Sequence, residues 1–169
     1  MKVCVLSSGS KGNCTYVETK NHKILIDIGT STLYVEKALK NIGVEASSID
    51  TILITHAHID HVGGLKVFCK KYDPKVYISS NIQKEANLNI VNSSTEEVVN
   101  IDSDIKIKSI TLSHDVSEIK GYIIEENESS VVYITDTGYI NERLFNEIKN
   151  KNLYIFESNH DVEMLMINP

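Results

Sequence analysis

Proline is nearly absent from this chain. There are two in 169 residues, Pro74 and Pro169, and no stretch rich in proline, glycine and serine divides the sequence. The length therefore suits a single domain over residues 1–169, with no linker separating two. Cysteine is also scarce: Cys4, Cys14 and Cys69 are odd in number and scattered. This excludes a disulfide frame or a Cys-x-x-Cys site and fits reduced thiols in a cytoplasmic protein. Positive charge is in deficit, with 17 lysines and arginines against 23 aspartates and glutamates and a net charge of −6. A protein that holds nucleic acid by a broad basic surface looks different, so any such role needs a local positive centre such as a bound metal. Long apolar runs are missing too. Met1–Leu6 turns polar at Ser7, too early for a signal peptide, and nothing approaches a membrane span. What is present is ordinary for a globular protein: 41% hydrophobic and 24% charged residues, with valine, isoleucine and leucine in runs that can build a core.

Short apolar runs alternate with helical patterns. Strands are predicted at Lys2–Leu6, Cys14–Glu18, Lys23–Ile28, Thr51–Thr55 and Lys75–Ser79. A helix is predicted from Ser31 to Ile42, where Val35, Ala38, Leu39 and Ile42 share one face, Ser31 or Thr32 caps the start and Gly43 marks the stop. A second is predicted from about Val62 to Lys71, followed by the turn Asp73-Pro74, and a third begins near Asn81. The later half has the same rhythm: a strand at Ile105–Leu112, a hairpin of Gly121–Glu125 with Val131–Thr135, a helix over Ile140–Lys149 and a buried strand at Leu153–Phe156. Val162–Pro169 begins a helix and stops. The pattern implies an α/β (α+β) αββα sandwich, two mixed sheets flanked by helices, with the second half incomplete by a strand and a helix.

The chemistry concentrates in Thr55-His56-Ala57-His58-Ile59-Asp60-His61-Val62-Gly63-Gly64, between a buried strand and a helix. Three imidazoles and a carboxylate crowd together at a cost unless something binds them, and a divalent cation is such a partner. His56 and His58, two apart on an extended loop, can point at one ion. Asp60 and His61, where the chain turns into the helix, can face a second. Gly63 and Gly64 let the helix start approach without a side-chain clash. His114 follows the strand ending at Leu112, and Asp136 follows the run ending at Ile134, before Gly138. A carboxylate at a strand's end is well placed to bridge two ions, although turn formation or helix capping also uses aspartate there. The turn Ser7–Asn13 offers backbone N–H groups, hydroxyls and Lys11, so Ser8, Lys11 and Asn13 are candidate phosphate contacts, beside the simpler reading of a turn between strands.

His56-Ala57-His58-Ile59-Asp60-His61 resembles the HxHxDH signature of the metallo-β-lactamase superfamily. Leu25-Ile26-Asp27-Ile28-Gly29, His114 and Thr135-Asp136-Thr137-Gly138 match its other landmarks in order. The opening Leu6–Asn13 and Glu157-Ser158-Asn159-His160-Asp161 are similar to the YycJ/WalJ-like branch, regarded as 5′–3′ double-stranded DNA exonucleases. The resemblance implies that His56, His58 and His114 hold a first divalent metal, Asp60 and His61 a second, and that Asp136 bridges them. It makes Asp27 the residue that orients the histidine loop. Zinc or manganese, with iron also compatible, suits this ligand set. Intact members carry a further histidine near the C-terminus. None follows His160 here, so the expectation is a weak or empty second position and reduced activity.

The implied reaction is hydrolysis by activated water. Asp60 would orient the nucleophile or take its proton, and Glu157 and His160 would assist the leaving group or position a phosphate. Two divalent ions, two aspartates and one hydroxide sum to about +1, which favours a phosphodiester, DNA above all. The same fold hydrolyses thioesters and β-lactams. The absence of cysteine among the candidate ligands speaks against a lactamase. A non-catalytic metal-binding protein is the alternative from another class.

Overall fold

The computed structural model describes residues 1–101, 103–112, 118–137 and 140–156, with backbone alone for 98–100. Six strands form the first sheet in chain order: β1 (Lys2–Ser7), β2 (Cys14–Glu18), β3 (Lys23–Ile26), β4 (Thr51–Leu53), β5 (Lys75–Tyr77) and β6 (Ser93–Ser94). β1, β2 and β3 pair antiparallel, and β3 through β6 pair parallel. Parallel neighbours require crossovers. These are α1 (Thr32–Asn41), then α2 (Ile59–Val62) with α3 (Leu65–Tyr72), then α4 (Ser80–Glu85). The second sheet has the order β11-β10-β9-β8-β7, from β7 (Val98–Asn100), β8 (Ile105–Leu112), β9 (Ile119–Glu126), β10 (Ser129–Ile134) and β11 (Leu153–Phe156). Here α5 (Glu142–Ile148) carries the crossover from β10 to its parallel neighbour β11. The αββα expectation with two mixed sheets holds.

The two-residue period of each strand sorts its side chains between layers. Val17, Ile24, Ile26 and Leu53 from the first sheet meet Ile105, Ile107, Tyr122, Ile124 and Tyr133 from the second. Leu25, Ile52 and Ile54 point the other way, onto Val35, Leu39, Leu65 and Phe68 of the helices. Ile110 and Leu112, out of phase with Ile105 and Ile107, join Ile123, Val132 and Ile134 under Ile148 of α5. The sheets are also tied where β4 ends, because Lys120 N–H donates to the Thr55 carbonyl at 2.9 Å and the Tyr122 hydroxyl donates to the Ile54 carbonyl.

Local chemistry sets the ends of α1. Ser31 is its N-cap and accepts from Tyr34 N–H at 3.3 Å, and Gly43 follows with φ +75°. Ser31→Ala should lower unfolding stability by about 1 kcal/mol, read as a lower urea midpoint with unchanged slope.

Four expectations are corrected. The helix drawn as Val62–Lys71 is two helices, Ile59–Val62 and Leu65–Tyr72. They meet at Gly63-Gly64, where a Cβ on Gly64 would fall 2.0 Å from the Thr30 carbonyl oxygen. β3 stops at Ile26 because Asp27 takes φ +60°. β4 pairs only through Leu53, although Ile54 and Thr55 stay fully buried. β11 is a strand but not a buried one. Among the described residues it lies at the sheet edge with β10 as its only strand partner, and Leu153, Tyr154 and Phe156 are about two-fifths exposed. Val162–Pro169 lies outside the described residues.

Candidate metal centre

The cluster forms where strand ends from both sheets meet. β3 runs out into Asp27, β4 into Thr55 and His56, and β10 into Asp136. Asp27 and Asp136 both adopt left-handed backbone, with φ of 60° and 52°. Aspartate tolerates this conformation better than most residues. The histidine loop is laced to the segment after β3. Ile28 N–H donates to the His61 carbonyl, Gly64 N–H to the Ile28 carbonyl and Asn13 N–H to the Asp60 carbonyl, at 2.9, 2.8 and 2.7 Å.

Within this frame, one ligand atom each from His56, His61 and Asp136 lies within 4.8 Å of the others. His61 Nε2 is 3.0 Å from Asp136 Oδ2 and 3.7 Å from Asp60 Oδ2. His56 Nε2 is 3.1 Å from His58 Nδ1. Both imidazoles at 56 and 61 are fully buried, with ring centroids 4.0 Å apart. His58 is exposed and Asp60 half-buried. Asp27 is buried behind them: its Oδ2 accepts from His61 Nδ1 at 2.8 Å and from the Thr55 hydroxyl at 2.8 Å, and its Oδ1 accepts from Thr55 N–H at 2.8 Å. Tetrahedral zinc bonded at about 2.0–2.1 Å places neighbouring ligand atoms about 3.3 Å apart. The His56–His58 and His61–Asp136 pairs stand near that spacing, and the donor set of nitrogen and carboxylate oxygen suits zinc or manganese. The residues fit a divalent metal.

The electrostatics agree. Burial, with the His61 imidazole beside it, pushes His56 down to about 4. Burial works in the same direction on His61, but hydrogen bonds to Asp136 and Asp27 outweigh it and lift the group to about 10. The carboxylates around His61 thus build a local demand for positive charge in a chain that is negative overall.

Of the sequence-predicted residues, the structure brings together His56, His58, Asp60, His61, Asp136 and Asp27. His114, Glu157 and His160 lie outside the described residues. In the opening turn, Ser8 and Lys11 are exposed. Asn13 alone of the three reaches the cluster, with Nδ2 2.9 Å from His61 Nε2 and 3.3 Å from Asp60 Oδ2, while its Oδ1 accepts from Gly9 N–H. Sequence reasoning missed Thr55. Its hydroxyl lies 3.0 Å from His56 Nδ1 and 3.2 Å from His61 Nδ1. Its only signal was its place directly before the histidine motif. Among the described residues no helix is long and apolar enough to cross a membrane.

Similar proteins are found by sequence and, separately, by fold. The exodeoxyribonuclease YycJ of Bacillus anthracis is 39% identical over 168 residues, covering 95% of this chain and 64% of the relative. The exodeoxyribonuclease WalJ of Streptococcus pneumoniae D39 is 35% identical over 173 residues, covering 97% and 64%. The chain thus spans under two thirds of the length of these relatives. The crystal structure of human tRNase Z, short form, superposes with a TM-score of 0.75 at 15% identity, over 99% of this chain and 82% of that one. Residues 8–139 match the metallo-beta-lactamase superfamily, and the chain belongs to that family.

Proposed function

We propose that this chain is a metal-dependent hydrolase whose substrate is a phosphodiester, DNA foremost. The observation that carries the reading is the convergence of His56, His61 and Asp136, from two different sheets, to within 4.8 Å. The two relatives named as exodeoxyribonucleases, at 39% and 35% identity, supply the substrate class. In this reading His56, His58 and His114 hold one ion, Asp60 and His61 hold another, and Asp136 stands between them. Divalent ions held there supply activated water at neutral pH and neutralise charge on a phosphodiester.

The chain's own groups do the rest. Asp60, half-buried beside His61, presents a carboxylate that orients the nucleophile and takes its proton. Asn13 aims an amide N–H at the same point and positions a substrate oxygen, with Ser8 and Lys11 reaching outward along the strand of phosphates. Glu157 and His160 are assigned to the leaving group. Asp27 fixes the imidazole of His61. Residues 1–169 are taken as one metallo-β-lactamase-like unit, in the cytoplasm.

Elemental analysis of protein purified without chelator, paired with digestion of end-labelled linear duplex DNA in manganese or zinc, tests this. The expected result is at least one divalent ion per chain, with nucleotide release that stops on chelation and returns on adding metal. Metal without turnover on DNA would point to a binding protein. Hydrolysis of a thioester or chromogenic lactam alone would reverse the substrate assignment. Metal removal should also lower the melting temperature, because an ion bound only by the folded state adds about 2.7 kcal/mol at 100 times its dissociation constant.

A further inference from the structure

Thr55 stands at the middle of a hydrogen-bonded chain that the role of Asp27 alone leaves unexplained. A hydroxyl has one hydrogen to donate. Asp27 Oδ2, at 2.8 Å, is its acceptor. The nitrogen of His56 that faces the same hydroxyl, Nδ1 at 3.0 Å, must then be the donor, since Thr55 Oγ has only lone pairs left to offer. The proton on Nδ1 leaves the ring's lone pair on Nε2, the atom that faces His58 Nδ1 at 3.1 Å. On the other side, His61 Nδ1 donates to the same carboxylate oxygen at 2.8 Å, and Nε2 of that ring faces Asp136, 3.0 Å away.

We infer that Thr55 is a positioning residue through which one carboxylate holds two histidines: Asp27 fixes Nδ1–H of His61 directly and sets the tautomer of His56 by way of the Thr55 hydroxyl. The assignment rests on the metal-centre reading only for its effect on affinity; the tautomer of His56 follows from the hydrogen bonds. The two metal positions are therefore separable. Loss of the hydroxyl releases His56, the ligand assigned to the first ion, and leaves the Asp27–His61 contact in place. Thr55 is itself well fixed. It is fully buried, its N–H donates to Asp27 Oδ1, and its carbonyl accepts from Lys120 N–H of the second sheet. Thr55→Val keeps the shape and the backbone bonds and removes only the hydroxyl.

The test is long-range 1H–15N NMR of the imidazoles in the metal-free chain at neutral pH, with zinc affinity from competition against a chelator. Wild type should show His56 protonated on Nδ1. Thr55→Val should move His56 toward the Nε2–H tautomer and weaken the tighter zinc by about 10- to 100-fold, the usual effect of losing a ligand's hydrogen-bond partner. Thr55→Ser should restore both, and His61 should keep its Nδ1 proton throughout. A wild-type His56 protonated on Nε2 overturns the assignment without any variant, so it stays testable even where Thr55→Val does not fold. A folded Thr55→Val that keeps both the Nδ1 proton and the wild-type affinity overturns it equally. A chain that takes up no zinc, yet whose His56 follows Thr55 as stated, would sink the metal reading and leave the hydrogen-bond assignment standing.

Discussion

His61→Ala is expected to reduce metal-dependent release of nucleotides from duplex DNA by on the order of 1,000-fold, the scale seen when a preorganised polar group is taken from a reacting centre. The His61 side chain meets groups on both of its ring nitrogens. Its Nε2 faces Asp136, Asn13 and Asp60, and its Nδ1 is held by Asp27. Removing it takes away one candidate ligand, leaves Asp136 without the imidazole beside it and exposes three carboxylates to one another. The check is initial rate on end-labelled DNA at saturating metal, with circular dichroism to show that the sheets remain. Asn13→Ala should differ: in the proposed reading its amide positions substrate and is not a metal ligand, so metal content should persist while the rate falls. A His61→Ala protein with wild-type rate would remove the cluster from the chemistry.

The second large effect is on stability. Gly29→Ala should cost at least about 3 kcal/mol, at or beyond the usual range for overpacking. A Cβ there would lie 1.6 Å from the Asp60 carbonyl oxygen and 2.6 Å from Asn13 N, both backbone atoms. Neither can swing aside as a side-chain tip would. Gly29 N–H also donates to the Asn13 carbonyl, and Asn13 N–H to the Asp60 carbonyl, so any relief moves Asn13 or Asp60 away from the metal centre. Gly43→Ala is the control. Its φ is +75° but nothing lies within 4 Å of an added Cβ, so it should cost only the 1–2 kcal/mol, roughly, of a left-handed L-residue. Urea unfolding of both variants, with zinc affinity alongside, separates strain from collision: Gly29→Ala should lose stability and affinity together, Gly43→Ala stability alone.

Much of this was legible in the residues because the deciding signals are local. His56, His58, Asp60 and His61 are near neighbours in sequence, and Asp136 follows an apolar strand; Asp27 was singled out by the family resemblance alone. The αββα layering followed from short apolar runs that alternate with helical patterns in two similar halves. The strand at Leu153–Phe156 was correctly found but wrongly buried, because an apolar run reads the same at a sheet's edge as at its centre. β6, two residues long, carries no periodicity at all. Thr55 escaped because threonine at the end of a strand is an ordinary β-former, and its hydroxyl gains a role only when Asp27 arrives from the end of β3 and the histidine loop folds back over it. The division of Ile59–Val62 from Leu65–Tyr72 depends on how closely Gly64 approaches Thr30, a contact between segments that no local pattern encodes.

Anomalous diffraction at the zinc edge, from crystals grown with zinc, is the most direct test of the shared metal centre. The expected map has a peak within about 2.0–2.2 Å of His56 Nε2, with His58 in the same coordination sphere, and any second peak lies between His61 and Asp136. Zinc found only on surface residues, with His56 and His61 still packed against each other at full metal concentration, would contradict the metal centre and the hydrolase reading built on it.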